Sequence, residues 1–139
     1  MLQLNYKDKK YLFTGDIENK VENELIEMNT LEKVDILKVS HHGSNSSTST
    51  KFLDVVSPRY AIISSGSTYT QFPNKNCIKR ILEKVKVENL YLTERDGTIW
   101  VTLIFFKNCT INSPSASSPA SINITWPLFI ISVQSASPT

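Results

Sequence analysis

Histidine is nearly absent from this 139-residue chain: His41 and His42, side by side, are its whole supply. Imidazole chemistry therefore has one address in the sequence. Cysteine is as scarce. Cys77 and Cys109 stand at no metal-ligand spacing and are too few to frame a chain of this length with disulfides, so they leave the compartment open. Net charge is only +2 at neutral pH, too little to argue for a nucleic-acid surface from charge. No apolar run approaches the roughly 20 residues that cross a bilayer. Met1-Leu2-Gln3-Leu4 also lacks the basic-then-apolar order of a leader, so the chain on its own reads as soluble. There is no internal repeat. An apolar content of 40% over this length is enough for one domain with a core.

What is there is organised around Asp35 to Ser44. Ile36, Leu37 and Val39 form an apolar run that stops abruptly at Ser40-His41-His42-Gly43-Ser44, and the Gly43 to Ser47 tail continues neither strand nor helix. The pair is thus predicted at the end of a buried strand, where open α/β sheets hold their chemistry. A solvated turn is the plain alternative for two adjacent loop histidines. Upstream, Tyr11 to Asp16 repeats the design: an apolar strand ends on Gly15, then on a lone carboxylate. An Asp and a His at two strand ends supply a hard anionic and a borderline ligand for a divalent metal.

The remaining elements follow from periodicity. Leu2, Leu4 and Tyr6 alternate with polar residues and Lys7 to Lys10 is a charged turn, which predicts a hairpin with Tyr11 to Thr14. Ile17, Val21, Leu25 and Met28 predict an amphipathic helix whose carboxylates, Glu18, Glu22, Glu24 and Glu27, form a solvated face. Ser49 caps a short helix through Phe52, Leu53 and Val56, and Arg59 to Ser64 is a strand. Asn74 or Asn76 caps a helix carrying Ile78, Ile81, Leu82 and Val85. Leu90 to Leu92 and Thr98 to Phe105 are read as strands joined by a tight turn at Asp96-Gly97. Strands alternating with helices indicate an α/β architecture. From Lys107 the composition changes: Asn112 to Asn123 reads as disordered, and Trp126 to Ile131 is an apolar island that reads as adhesive or accidental.

Phe13-Thr14-Gly15-Asp16, then Asp35-Ile36-Leu37-Lys38-Val39-Ser40-His41-His42-Gly43-Ser44, then Ser47-Thr48-Ser49 and Ala61-Ile62-Ile63-Ser64, together resemble the C-terminal half of a metallo-β-lactamase-fold domain of the ComEC type. Such domains occur in competence proteins that take up DNA and in smaller soluble relatives. The likeness runs from about residue 2 to about residue 103. It implies a metallo-β-lactamase-like αββα sandwich of which residues 1–106 are the C-terminal half, with 107–139 a Ser/Pro-rich disordered tail. It further implies a divalent metal, zinc or manganese, with Asp16 as bridging carboxylate and His42 as a ligand. Asp16, His41 and His42 would be catalytic in phosphodiester or nucleic-acid hydrolysis by metal-activated water. One imidazole would bind metal or orient the leaving oxygen, with the roles of the two unassigned. Ser44, Ser47, Thr48 and Ser49 lie where substrate would be gripped, beside the alternative that they are ordinary loop residues.

Two departures qualify the resemblance. His-x-His-x-Asp-His, which supplies most of the metal ligands in such domains, occurs nowhere in this chain. Relatives also carry Gly-His-Pro after the Ala-Ile-Ile-Ser strand, whereas this chain has Gln71-Phe72-Pro73. One Asp with one or two His is fewer than the three protein ligands a catalytic metal takes, so the chain alone is expected to be inactive or very weak. Three readings follow: a hydrolase domain present as its C-terminal half, a non-catalytic remnant or interaction module, and a split enzyme completed by a partner chain carrying the other half. Leu2 would enter mid-hairpin in a domain that extends upstream. Half a sandwich leaves apolar surface and a sheet edge open to self-association, although two copies lacking the same ligands cannot rebuild the site. The resemblance places such a bacterial domain on either side of the membrane.

Overall fold

The computed structural model describes residues 1–66, 71–103 and 129–134. Its main sheet has five strands in the order β1 (Leu2–Tyr6), β2 (Lys9–Phe13), β3 (Ile36–Lys38), β4 (Tyr60–Ile63), β5 (Leu90–Leu92). The β1–β2 pair is the predicted antiparallel hairpin, closed at Tyr6 opposite Lys9 with Lys7 at a positive φ of 56°. The pairs β2–β3, β3–β4 and β4–β5 are parallel. Each parallel connection carries a helix: α1 (Asn19–Glu27), α2 (Thr50–Val56) and α3 (Lys75–Leu82).

Strand order and chain order coincide, so the crossovers all advance in one direction. Crossovers of one hand then place every helix on the same face. The core confirms this. Leu12, Leu37, Ala61, Ile63 and Leu90 from the sheet pack with Phe52, Leu53 and Val56 of α2 and Cys77 and Ile81 of α3, and Ile26 of α1 lies against them. Full burial of Phe52, Leu53 and Val56 stabilises by about 1.5–3 kcal/mol per side chain. The opposite face holds a smaller cluster of Tyr11, Ile36 and Tyr60 with Ile62, Tyr91 and Val101 beside it. By register Leu2, Leu4, Tyr6 and Phe13 share that face, and each is more than 40% exposed. The fold class is mixed α/β, as the alternation of elements indicates. No described helix is long and apolar enough to cross a membrane.

Local chemistry explains the helix ends. Ser49 Oγ accepts the Phe52 N–H at 3.2 Å, and Asn74 Oδ1 accepts that of Asn76 at 2.9 Å, settling the choice of cap for α3. Ser57, left-handed at φ 38°, closes α2 just before Pro58. The phase of α1 differs from expectation, while α3 departs from it only at Leu82 and in the added Cys77. In α1 Val21 and Met28 are exposed while Glu22 is fully buried and Ile26 meets the core. In α3 Cys77, Ile81 and the following Val85 face inward and Leu82 faces out.

The chain end is also corrected. Leu90–Leu92 and Thr98–Leu103 do not pair as a hairpin. Asp96 Oδ2 accepts the Leu92 N–H at 2.9 Å and the Gly97 N–H donates to Thr93 O at 3.0 Å, winding Thr93–Asp96 into one helical turn, α4. β5 pairs with β4, while β6 (Thr98–Leu103) pairs antiparallel with β7 (Phe129–Gln134), which begins within the apolar island and runs three residues past it. The Asn112 to Asn123 stretch lies outside the described residues.

Candidate functional site

Parallel strands bring the carboxyl ends of β2, β3 and β4 to one edge, and the candidate residues follow those ends. Thr14 to Asp16 continue from β2, Ser40 to Gly43 from β3, and Ser64-Ser65-Gly66 from β4. The first two turns are fastened together. Thr14 Oγ1 donates to Lys38 O at 2.7 Å, the His41 N–H to Gly15 O at 3.0 Å, and Ser40 Oγ to the carbonyls of Gly15 and Ile17. The Asp16 turn and the histidine turn thus form one unit, with Asp16 exposed at its rim.

The histidines occupy a strained turn. His41 has φ 44°, ψ 48° and His42 φ 54°, ψ 23°, followed by Gly43 at φ 81°. Left-handed backbone costs a non-glycine residue about 1–2 kcal/mol. Gly43 is held to its identity by space as well: a Cβ there would lie 2.8 Å from Pro73 Cβ and 3.3 Å from Pro73 Cα. The Asn74 N–H donates to Gly43 O at 2.9 Å, tying the start of α3 to the same turn.

The two rings are held differently. His42 is exposed, and its Nδ1 lies 2.8 Å from Ser64 O, a contact in which Nδ1 is the donor, so that in the neutral ring Nε2 keeps the lone pair. His41 Nδ1 is buried without a hydrogen bond, 3.5 Å from Glu18 Oε1. Phe72 lies against both rings, 5.4 Å from His41 and 6.4 Å from His42 between centroids. Beyond it a groove of about 730 Å³ runs between the loop after His42 and the start of α3, lined by Asn45, Gln71, Phe72, Pro73, Lys75 and Asn76 among others. Lys38 is a cation that sequence reasoning passed over. Burial holds its ammonium below the ordinary value while the Asp16 carboxylate acts in the opposite direction, and Nζ donates to Val39 O at 2.9 Å.

The hydroxyl residues are tied into the loop that follows the histidine turn, with Ser44 also lining the groove beside Phe72. Ser47 is buried and its Oγ donates to the carbonyls of Ser40 and Ser44, at 3.1 and 3.2 Å. Ser44 Oγ pairs with Ser46 Oγ at 3.0 Å, and Thr48 is fully buried next to the Cys77 thiol. Ser49 serves as the α2 cap. Two charged side chains grip this loop. Glu22 accepts the N–H groups of both Thr48 and Ser49. Arg80 donates to the carbonyls of Asn45, Ser47 and Thr48, at 3.1, 2.9 and 3.1 Å. Neither was singled out from sequence. For Glu22 the usable signal was Ile26, one turn later on the same helical face.

A metal ion needs more than this edge offers. Among the described residues no three His, Cys, Asp or Glu side chains converge as a cage, so Asp16, His41 and His42 do not by themselves fit zinc or manganese. What the edge does show is two imidazoles, a carboxylate and a half-buried cation brought together at strand ends.

No protein-family model matches the chain. It is 34% identical over 89 residues to "ComE operon protein 3" of Bacillus subtilis, covering 64% of this chain and 11% of that protein. It is 48% identical over 80 residues to "Recombination protein 2" of Haemophilus influenzae, covering 56% and 10%. It is 47% identical over 58 residues to "Competence protein ComA" of Neisseria gonorrhoeae, covering 40% and 8%. The chain spans about a tenth of the length of these curated relatives. A mixed α/β unit with its polar residues at one sheet edge is therefore related to a short segment of bacterial proteins that carry competence and recombination in their names.

Proposed function

We propose that the chain is the C-terminal half of a ComEC-like metallo-β-lactamase-fold hydrolase serving DNA uptake, and that its edge contributes Asp16, His41 and His42 to a phosphodiester site completed by residues from outside the chain. The observation that carries the reading is His42: its Nδ1 is committed to Ser64 O at 2.8 Å, so Nε2 is presented in a fixed direction at the strand edge. A backbone carbonyl behind one nitrogen is how proteins orient an imidazole whose other nitrogen has work to do. The resemblance of the Asp16 and His41-His42 motifs, and the names of the relatives, support the same reading. The ligands absent here would come from a half carrying His-x-His-x-Asp-His, whose sheet would cover the Tyr11–Ile36–Tyr60 face.

The test is reconstitution. The chain is mixed with a polypeptide carrying the His-x-His-x-Asp-His half, and bound metal per chain is measured by elemental mass spectrometry alongside cleavage of a phosphodiester probe. Metal and cleavage that appear only in the mixture, and vanish with Asp16→Ala plus His42→Ala, are the expected result. Neither appearing in a mixture that does associate refutes the reading. One observation favours a second one, a non-catalytic interaction module. Phe72, which binds no metal, stands where relatives place a histidine and packs over His41.

A further inference from the structure

Glu18 occupies the N-cap position of α1 yet does no capping. Its backbone is extended, with φ −114° and ψ 173°, and its side chain makes no cap hydrogen bond. The carboxylate is turned the other way, accepting Ser46 Oγ at 2.9 Å and standing 3.5 Å from His41 Nδ1. The His41 backbone is fixed by its N–H to Gly15 O at 3.0 Å and its carbonyl to the Ser44 N–H at 2.9 Å. The Phe72 ring packs against the imidazole, tilted 37° from its plane at 5.4 Å between centroids. Nδ1 is shut off from water with no hydrogen bond made, and a carboxylate oxygen stands just beyond bonding range. A small rotation of the Glu18 side chain closes that gap, as polar pairs in empty sites often do on engagement.

We propose that Glu18 is a positioning residue for His41: its carboxylate draws the imidazole proton onto Nδ1 and so presents the Nε2 lone pair at the sheet edge. The turn then carries two imidazoles with the same nitrogen outward, one backed by a carboxylate and the other by the Ser64 carbonyl. What Nε2 does at the edge rests on the proposed function; which nitrogen carries the proton does not.

The test reads the rings directly. In the ¹⁵N-labelled full chain, at a pH where both imidazoles are neutral, long-range ¹H–¹⁵N correlation distinguishes the two tautomers, and His41→Gln assigns the pair. Neutral histidine in water favours the Nε2–H form, so two Nδ1–H rings would be a clear departure. Glu18→Ala is expected to invert the tautomer ratio of His41 and leave His42 as it was, which also reports an intact turn. Glu18→Gln, whose amide oxygen can still accept, keeps His41 largely in the Nδ1–H form. An Nε2–H ring at His41 in the unaltered chain overturns the proposal, as does a His41 tautomer indifferent to Glu18→Ala. Failure to hydrolyse phosphodiesters after reconstitution would leave this result untouched.

Discussion

Glu22 is the side chain whose removal should be felt most. It is a fully buried carboxylate on α1 that takes the N–H groups of Thr48 and Ser49, 26 and 27 residues away, and so fastens the start of α2 to α1. A hydrogen bond to a charged group contributes about 1.5–3 kcal/mol, and a buried donor left without an acceptor costs about 1–3 kcal/mol. Glu22→Ala strands both donors but also removes a charge that is expensive to bury. The net expected loss is about 2–4 kcal/mol. Glu22→Gln is the sharper variant. One amide oxygen serves one N–H while the NH₂ group confronts the other, for a loss of about 1–3 kcal/mol. Urea unfolding followed by far-ultraviolet circular dichroism measures both, and native hydrogen exchange at Thr48 and Ser49 locates the effect. If both variants unfold within about 0.5 kcal/mol of the parent, the range of inconsequential surface changes, the latch described here is not holding the loop.

Gly43→Ala combines a positive φ with a Cβ 2.8 Å from Pro73, and a loss of about 1–3 kcal/mol is expected in thermal or urea unfolding; a neutral result would mean that Pro73 yields freely. The Arg95 guanidinium holds the Asp96 carboxyl below its ordinary value of 3.8, outweighing burial, which acts in the opposite direction, and the Leu92 N–H adds a smaller lowering effect. A depressed carboxylate stabilises the fold above its unfolded value and loses that contribution as pH falls through the folded value. The stability advantage over Asp96→Asn should therefore shrink between about pH 5 and pH 2, and a gap constant across that window would contradict the assignment. Burial pushes the Cys77 thiol up. In a Cys109→Ser chain, a thiol reagent should therefore label Cys77 only on unfolding, and prompt labelling of the native chain would show that α3 opens.

Legibility in the sequence followed locality. The hairpin, the strand ends at Asp16 and His41, and the cap Ser49 depend on neighbours a few residues away, and each appears where the residues put it, while for α3 the sequence offered Asn74 or Asn76 and the structure uses Asn74. Asp16 and the histidine pair are adjacent because parallel strands share an edge, which alternation of strands and helices already implies. Elsewhere the deciding partner was remote. The partners of Glu22 lie on another loop, so a carboxylate in a helix read as solvent-facing; the inward turn of Cys77 depended on how α3 settles on α2. Asp96-Gly97 has turn composition, but the Asp96 carboxylate binds back to Leu92 and makes a helical turn instead of a hairpin. Met28 and Leu82, read as inward-facing, are exposed for a common reason: both lie at helix ends, where an exposed apolar side chain is ordinary, while Ile78, Ile81 and Val85 pack as read.

Three consecutive left-handed residues at His41, His42 and Gly43 have a further implication for the order in which the molecule comes together. For the two histidines alone the conformation is uphill by about 2–4 kcal/mol, more than any local contact within the turn supplies. The turn is held by the Gly15 carbonyl from β2, the Ser64 carbonyl from β4 and the Asn74 amide ahead of α3. A turn held from so many elements is expected to set late in folding and to let go early on unfolding. In mild urea the two imidazole resonances should collapse toward free histidine before the amides of β3 and β4 exchange, and simultaneous loss of both would refute that order. The edge chemistry is in effect a certificate that the surrounding architecture is complete, withheld from every partly folded form of the chain.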